Sequence, residues 1–526
     1  MLTYQLDPKC GRPLYEQLYR AIRDDIEHHC LHAGYKLPSK RLFASHLGVS
    51  IITIENAYRQ LVAEGYVEAQ QRRGYFVNEL LSTPRRYDTS QKPANDVLPQ
   101  KGAGSRRSAS GGITHTRSAS GTGTSDKEAF LKAASDQAAP LLADFSGARP
   151  SGNIFPFPIW AKTVRRTLSE ASKGRLLQTS YDNCGAEELR IAIADHLAGF
   201  RGLVVSPAQI IVGAGAQDLY GILVQLLGRD RMFAVEDPGY PALRAHYELN
   251  DVAIAAIPVD GDGMSVTDLE ATEASIAHCT PAHQFPTGVV MTAPRRRELL
   301  DWAEHGSTAK RRYIVEDDYD SEFRMHGRPI PPLLTSDAHE SVIYLNTFTR
   351  SLGSVFRIAY MVLPPHLMCE FKARFASRSC MVGALEQLEL AHFIASGDYE
   401  RHVNRQRTAY RRLQDDLVAL LSASDAAPSL RFRGIDAGLH FLMDVDLSAL
   451  PDGTRESEQG MPAIELEARA LERGIHLANI EAYRYSARPP SNAESATATY
   501  VMNVAGLDRK RTQEIADGLI YAVVQH

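Results

Sequence analysis

From about Ser82 to Ala143 the chain loses the patterns a folded segment needs. Pro, Ser, Gly and Thr dominate, aromatic residues are sparse, and RSASG occurs twice, at Arg107–Gly111 and Arg117–Gly121. A segment of this composition cannot bury enough apolar surface to offset the entropy of ordering it. No single core can run through it. The 526 residues must therefore fold on either side of a tether over 81–143, as one unit over 1–80 and another over 144–526. About sixty flexible residues span on the order of 40–45 Å. Arg85, Arg86, Lys92, Lys101, Arg106, Arg107 and Arg117 make the tether mildly basic.

The first unit reads as a winged helix. Leu14, Leu18, Ile22 and Ile26 recur four apart, which predicts a helix from Pro13 to His28. After a turn over His32–Pro38, Ser39 caps a second helix carrying Leu42, Phe43 and Leu47, and Gly48 ends it. Ser50 caps a third helix with Ile54, Ala57, Tyr58 and Leu61 inward. Tyr66–Val67 and Tyr75–Val77 then flank QRRG as a hairpin. Lys36, Lys40 and Arg41 beside the second helix, and Arg72 and Arg73 at the wing tip, lie where such a fold meets phosphates. Ser39, Ser50, Thr53, Tyr58 and Gly74 complete the candidate DNA-binding set.

The motifs PLYEQLYRAI, KLPSKRLFASHLGVS, AYRQLVAEGY and RGYFV in this unit resemble the GntR-type regulators. That resemblance implies DNA contact by Arg41 and a wing glycine at Gly74. The family usually has Arg directly after GVS, and here it is Ile51, which implies an altered operator or weaker base readout. A winged helix used only for protein contact is the alternative.

In the second unit, short apolar runs alternate with helix-length amphipathic segments. Ile210–Val212, Phe233–Val235, Val289–Met291, Tyr313–Val315 and Val342–Leu345 read as strands. The predicted fold class is α/β with a mostly parallel sheet, followed from about 365 to 526 by a smaller α+β subdomain. Ligands sit outside the carboxyl ends of strands in such sheets. Asp317, Asp318 and Tyr319 follow one strand; Thr347, Thr349 and Arg350 follow another, with Arg357 beyond. Together they suit an anionic aromatic ligand. Solvated loop residues are the alternative reading. Between a strand and a helix, GAGAQ (Gly213–Gln217) offers the amides of Gly215 and Ala216 to a phosphate.

DFSGARPSGNIFPFPIW, EDPGYP, HQFPTG and EDDYDSEF resemble the fold-type-I pyridoxal-phosphate enzymes, and specifically the MocR-type regulators, which fuse a GntR-like winged helix to an aminotransferase-like domain. The resemblance implies pyridoxal 5'-phosphate as cofactor, with Asp317 at its ring nitrogen and Tyr319 and His283 near its phenolic oxygen; a structural, hydrogen-bonded histidine is the alternative for His283. It places Tyr240 on the ring face and Arg357 at the phosphate. It also implies a homodimer, an operator in double-stranded DNA and a small-molecule effector. The family's Schiff-base lysine position is occupied by Arg350. Ala214 stands for a usual Ser, Ser180 and Asn183 for the Tyr and Pro of a Tyr-Gly-Asp-Pro motif, and Val501 for a carboxylate-binding Arg.

Transamination needs an amine that can be deprotonated, and a guanidinium with a pKa above about 12 does not serve. The expected function is a DNA-binding transcription regulator whose large domain senses a small anionic ligand without turnover. The alternatives are a working aminotransferase carrying a winged helix, or a ligand-free dimerisation scaffold. Six scattered cysteines without a CxxC exclude a disulfide frame or a zinc site. A net charge of −5 confines any nucleic-acid contact to a local basic face. No apolar run reaches the length of a membrane span and the N-terminus lacks a signal-peptide pattern, so the expected location is cytoplasmic, with no membrane partner.

Overall fold

The computed structural model describes residues 2–4, 6–7, 13–27, 30–70, 73–78, 141–147, 155–170, 182–306, 311–325, 330–354, 356–449, 462–485 and 497–524. Arg72, Ser180 and the tether up to residue 140 lie outside them. The last three residues assigned to the tether are described, and Ala143 already opens a strand.

Residues 13–78 fold as three helices and a hairpin: α1 (Leu14–Glu27), α2 (Lys40–Leu47), α3 (Ile51–Ala63), β1 (Val67–Gln70) and β2 (Gly74–Val77). The predicted caps form. Ser39 Oγ accepts from Leu42 N at 3.3 Å and Ser50 Oγ from Thr53 N at 3.1 Å. Gly48 takes the left-handed conformation (φ 67°) that ends α2. Leu18, Ile22, Phe43, Ile54, Ala57 and Leu61 make the core. One sequence expectation fails here, the DNA-facing role of Tyr58. Leu42 faces solvent, because Phe43 and Ala44 already supply the buried face of this short helix. Tyr58 is fully buried and its hydroxyl donates to Pro38 O at 2.9 Å, which removes it from any DNA-facing surface.

A short strand, β3 (Ala143–Asp144), leads into the large domain. Its sheet comprises β4 (Ile210–Gly213), β5 (Phe233–Asp237), β6 (Ile254–Asp260), β7 (Gly263–Met264), β8 (Ile276–Cys279), β9 (Tyr313–Asp317), β10 (Val342–Thr347) and β11 (Ala359–Val362). The order is β4-β11-β10-β9-β8-β5-β6-β7. The pairs from β10 through β9, β8 and β5 to β6 are parallel; β11 runs antiparallel to both its neighbours, and β7 to β6. Nearly continuous burial along β4, β8, β9 and β10 reflects helices covering both faces. Val289–Met291 is not a strand. Gly288 (φ 71°) and a bond from Gln284 N to Val289 O (2.8 Å) close HQFPTG into a turn, and β8 takes the place in the sheet.

The smaller layer holds β12 (Leu430–Arg433), β13 (His440–Asp446), β14 (Ile475–His476), β15 (Ala478–Asn479) and β16 (Thr497–Asn503). An antiparallel sheet runs β12-β13-β16-β15, and β14 pairs in parallel with β3. Its core begins along the helix Asp398–Ser422, at Tyr410, Leu413 and Leu417. Helices Pro365–Arg374 and Ala384–Ala395 pack instead against the cores of the large sheet, through Leu367, Phe371, Leu388 and Phe393. The subdomain therefore starts later than residue 365, except for the β3 segment it borrows from the front of the domain.

The winged helix and the large domain share a seam. Ala293 N, opening the helix Ala293–Glu304, donates to Glu64 O at the end of α3 (3.0 Å). Gly65 (φ 74°) lies so close that a Cβ there would stand 2.8 Å from Thr292 Cβ. The Glu64 carboxyl is fully buried and accepts from Tyr19 Oη (2.5 Å) and from Gln60. Burial raises its pKa, opposed by those hydrogen bonds and by Arg324 of the large domain.

Candidate ligand cleft and DNA-reading face

Strand alternation distributes the acids of EDDYDSEF. Glu316 accepts from Leu333 N (2.7 Å) and Leu334 N (3.0 Å) in the loop before β10. Asp318, on the same side, meets Arg201 at 2.7 Å, with the hydroxyls of Tyr344 (2.6 Å) and Ser321 (3.0 Å) donating to it. Asp320 pairs with His283 Nδ1 (2.9 Å) and accepts from Leu439 N (3.2 Å). All of these acids are buried, so they are not solvated loop residues. Asp317 points the other way. Its Oδ2 accepts from Tyr220 Oη at 2.6 Å and lies 3.5 Å from His278 Nε2, while its buried Oδ1 has no partner among the described residues.

This crowding has a pH signature. Burial, reinforced by Asp318, pushes Glu322 up to about 8, and the same causes hold Glu316 at about 7. A carboxyl raised above its unfolded value binds its proton more tightly in the native state. Its contribution to stability is present at acid pH and is lost as pH rises from the ordinary carboxyl range through the folded pKa. Stability should accordingly decline between about pH 5 and pH 8, and Glu322→Gln should flatten that decline. Urea midpoints of both proteins across this range check it; parallel profiles would contradict it.

Asp317 forms the floor of a cleft of about 560 Å³ between the carboxyl ends of the central strands. Gly215, Ala216, Tyr240, Tyr319, Thr347, Thr349, Arg350 and Arg357 also line it, so the structure gathers nearly every predicted ligand residue. Gly215 (φ 87°) caps the helix Ala216–Leu227, and a Cβ there would lie 3.4 Å from Arg357 Nη2. The helix N-terminus and that guanidinium thus face one small volume, suited to a phosphate. Thr347 Oγ1 donates to Thr349 Oγ1 (2.9 Å), which fixes both hydroxyls at the end of β10. Arg350 carries its guanidinium over the Tyr319 ring, 5.8 Å from its centre. Neither Arg350 nor Arg357 has a carboxylate partner among the described residues. Tyr240 is 45% exposed at the mouth, edge-on to Phe285 (5.9 Å).

His283 is placed as the alternative of a structural, hydrogen-bonded histidine expects. It does not line the cleft; it lies behind Tyr319, its Nδ1 3.3 Å from the phenol and bound to Asp320. It supports the phenol from the rear. Sequence reasoning missed Tyr220 and His278, the two groups that hold Asp317. Tyr220 was accessible in principle: it falls four residues after Ala216, one helical turn below the phosphate-facing end.

On the winged helix, Lys36, Arg41 and Arg73 are exposed. The Lys36 amine and the Arg73 guanidinium flank the wing's Phe76 ring at 5.7 and 5.6 Å, and Gly74 (φ 114°) makes room beside Lys36. Lys40 is partly neutralised by Glu55 at 2.9 Å. The hydroxyls of Ser39 and Ser50 are committed to capping, and Thr53 Oγ1 bonds Ser50 at 2.9 Å.

Comparison with known proteins follows the same division. The family model for bacterial regulatory proteins of the gntR family matches residues 14–77, and that for aminotransferase class I and II matches 147–517. The chain is 33% identical over 444 residues to the uncharacterized HTH-type transcriptional regulator YdeL of Bacillus subtilis, covering 84% of this chain and 86% of that protein. It is 30% identical over 416 residues to the probable rhizopine catabolism regulatory protein MocR of Rhizobium meliloti, covering 79% and 78%. The chain belongs to the MocR-type regulators. Among solved structures, Pyrococcus horikoshii kynurenine aminotransferase shares the large-domain fold, with a TM-score of 0.58 at 21% identity over 76% of this chain and 94% of that one. No helix among the described residues is long and apolar enough to cross a membrane.

Residues at the positions where the resemblance implied other side chains are placed as follows. Ala214 offers no hydroxyl, and its backbone N is taken up by Asp218 Oδ2 at 2.9 Å. Asn183 binds Phe375 O at 3.0 Å. Val501 is fully buried in an apolar cluster with Phe285, Leu442 and Ala478. The ring-binding side of the cleft nevertheless fits a phosphorylated pyridine. The orphaned Asp317 Oδ1 is an acceptor for a ring N–H, and the helix N-terminus with Arg357 forms an anion cradle.

Proposed function

We propose that this chain is a DNA-binding transcription regulator whose aminotransferase-like domain holds a small anionic ligand and does not turn it over. The observation that carries the reading is Arg350, a guanidinium with no carboxylate partner among the described residues, in the cleft where catalysis would need a deprotonatable amine. Bound pyridoxal phosphate supplies electrophilic carbonyl and electron-sink chemistry to enzymes that provide that amine. Here the chain's own residues would bind and orient. Asp317, held by Tyr220 and His278, accepts from a ring nitrogen. Arg357, Gly215, Ala216, Thr347 and Thr349 hold a phosphate. Tyr319 meets a phenolic oxygen, with His283 behind it, and Tyr240 covers the ring face. Arg350 presents a fixed fork of donors to a second anionic group such as a carboxylate. Pyridoxamine phosphate or a cofactor–amino-acid adduct fits this set as well as pyridoxal phosphate does.

Equilibrium dialysis with pyridoxal and pyridoxamine phosphates tests the ligand half. Saturable binding weakened by Asp317→Asn is expected, and no binding of either would favour the scaffold alternative. For the DNA half, Arg41→Ala with Arg73→Ala should lower the slope of log affinity against log salt by about two units. An unchanged slope would remove this face from the interface. We further propose that the large domain dimerises, presenting two winged helices to paired half-sites.

A further inference from the structure

We infer that this regulator reads part of its operator through thymine methyl groups packed against Ile51 and Ile52. The inference rests on the proposal that the winged helix binds DNA, and it names what that helix recognises. Ile51 and Ile52 open α3 directly after the Ser50 cap and are 46% and 68% exposed. Neither joins the winged-helix core, which Ile54, Ala57, Tyr58 and Leu61 of the same helix complete. Nor do they favour the helix itself, where β-branched residues rank below alanine. Two consecutive large apolar side chains therefore stand on the surface with no folding role.

Their surroundings indicate the occupant. The exposed cations Lys36, Arg41 and Arg73 belong to the same small domain, which suits a polyanion and not an apolar protein surface. In a helix-turn-helix, the first residues of the reading helix meet base edges in the major groove. The apolar group on base edges in that groove is the thymine C5-methyl. An isoleucine pressed against it excludes water from the methyl. Cytosine carries no methyl at that position, so the same side chain gains no apolar contact there. Asn56 and Arg59 lie four and seven residues beyond Ile52 on the same helical face, so polar side chains adjoin the apolar pair. The apolar pair thus specifies one end of each half-site.

The test uses the full chain. Sites are selected from a random duplex library, and each thymine of a selected half-site is then replaced by deoxyuridine, which keeps base pairing and removes only the methyl. One or two positions per half-site should each lose about fourfold in affinity, the scale of one buried methyl group. The Ile51→Ala, Ile52→Ala double variant should bind thymine and uracil duplexes alike, with its salt slope unchanged. Both positions are exposed and alanine suits a helix, so the variant keeps the fold; circular dichroism verifies this. Equal affinity of the natural chain for both duplexes, or a thymine preference that survives in the double variant, overturns the inference alone. Failure to enrich any site overturns the DNA-binding reading and this inference with it.

Discussion

Arg350→Lys is expected to convert a cleft that leaves pyridoxal phosphate unreacted into one that captures it covalently. Added to the variant, the aldehyde should give a new visible absorbance band and, after borohydride reduction, a stable mass adduct at residue 350. The natural chain should give neither at this position. A guanidinium stays protonated at any working pH, whereas an ammonium can be tuned to react. The change runs from no adduct to near-stoichiometric labelling, because the residues proposed to hold the ring and the phosphate line the same cleft. A reducible adduct on some other lysine of the natural chain would show that the roles assigned to this cleft are wrong. A variant that still captures nothing would mean that the arrangement around Ala214 and Asn183 closes the phosphate side.

The second large effect concerns stability. Arg201 and Asp318 are paired at 2.7 Å with side chains only 2% and 1% exposed. Arg201→Ala would leave the Asp318 carboxylate buried with only hydroxyl donors. Breaking a buried pair from one side costs about 3–5 kcal/mol, because the remaining charge stays desolvated. Arg201→Ala should lower the urea midpoint of the large domain sharply, and replacing both partners by apolar residues (Arg201→Met with Asp318→Leu) should recover much of the loss. A single variant within about 1 kcal/mol of the parent, by the same urea titration, would show that water reaches the site.

The winged helix was legible in the sequence because its signals are local. Ser39, Gly48 and Ser50 act within one turn of themselves, and the core spacing of α1 and α3 repeats without interruption. The central pair β9 and β10 was legible for a related reason: unbroken apolar runs, each ending in polar residues. β8 was not, since IAHC is a four-residue run with a histidine inside it, while the more apolar Val289–Met291 is held in a turn by Gly288. The partner of Asp318 was out of reach altogether. Arg201 lies 117 residues earlier, at the end of a π-helical turn (Leu197–Arg201), and only the tertiary fold brings it in. Tyr58 misled because one residue type serves both a core and a DNA surface; its spacing with Ile54 and Leu61 decided for the core.

The seam at Glu64 and Gly65 carries a thermodynamic obligation. Thr292 and Ala293 are the far end of the loop that begins at His283, behind the cleft tyrosine, so one short segment touches both the ligand wall and the reading helix. Whatever free energy a ligand transmits along it to DNA affinity must be returned in equal measure, since coupling between two binding equilibria is reciprocal. Operator DNA would then act as an effector of the cleft, shifting its ligand's dissociation constant by the same factor by which that ligand shifts DNA binding. Titrating ligand with and without duplex measures the coupling from the side where no promoter or gene need be known.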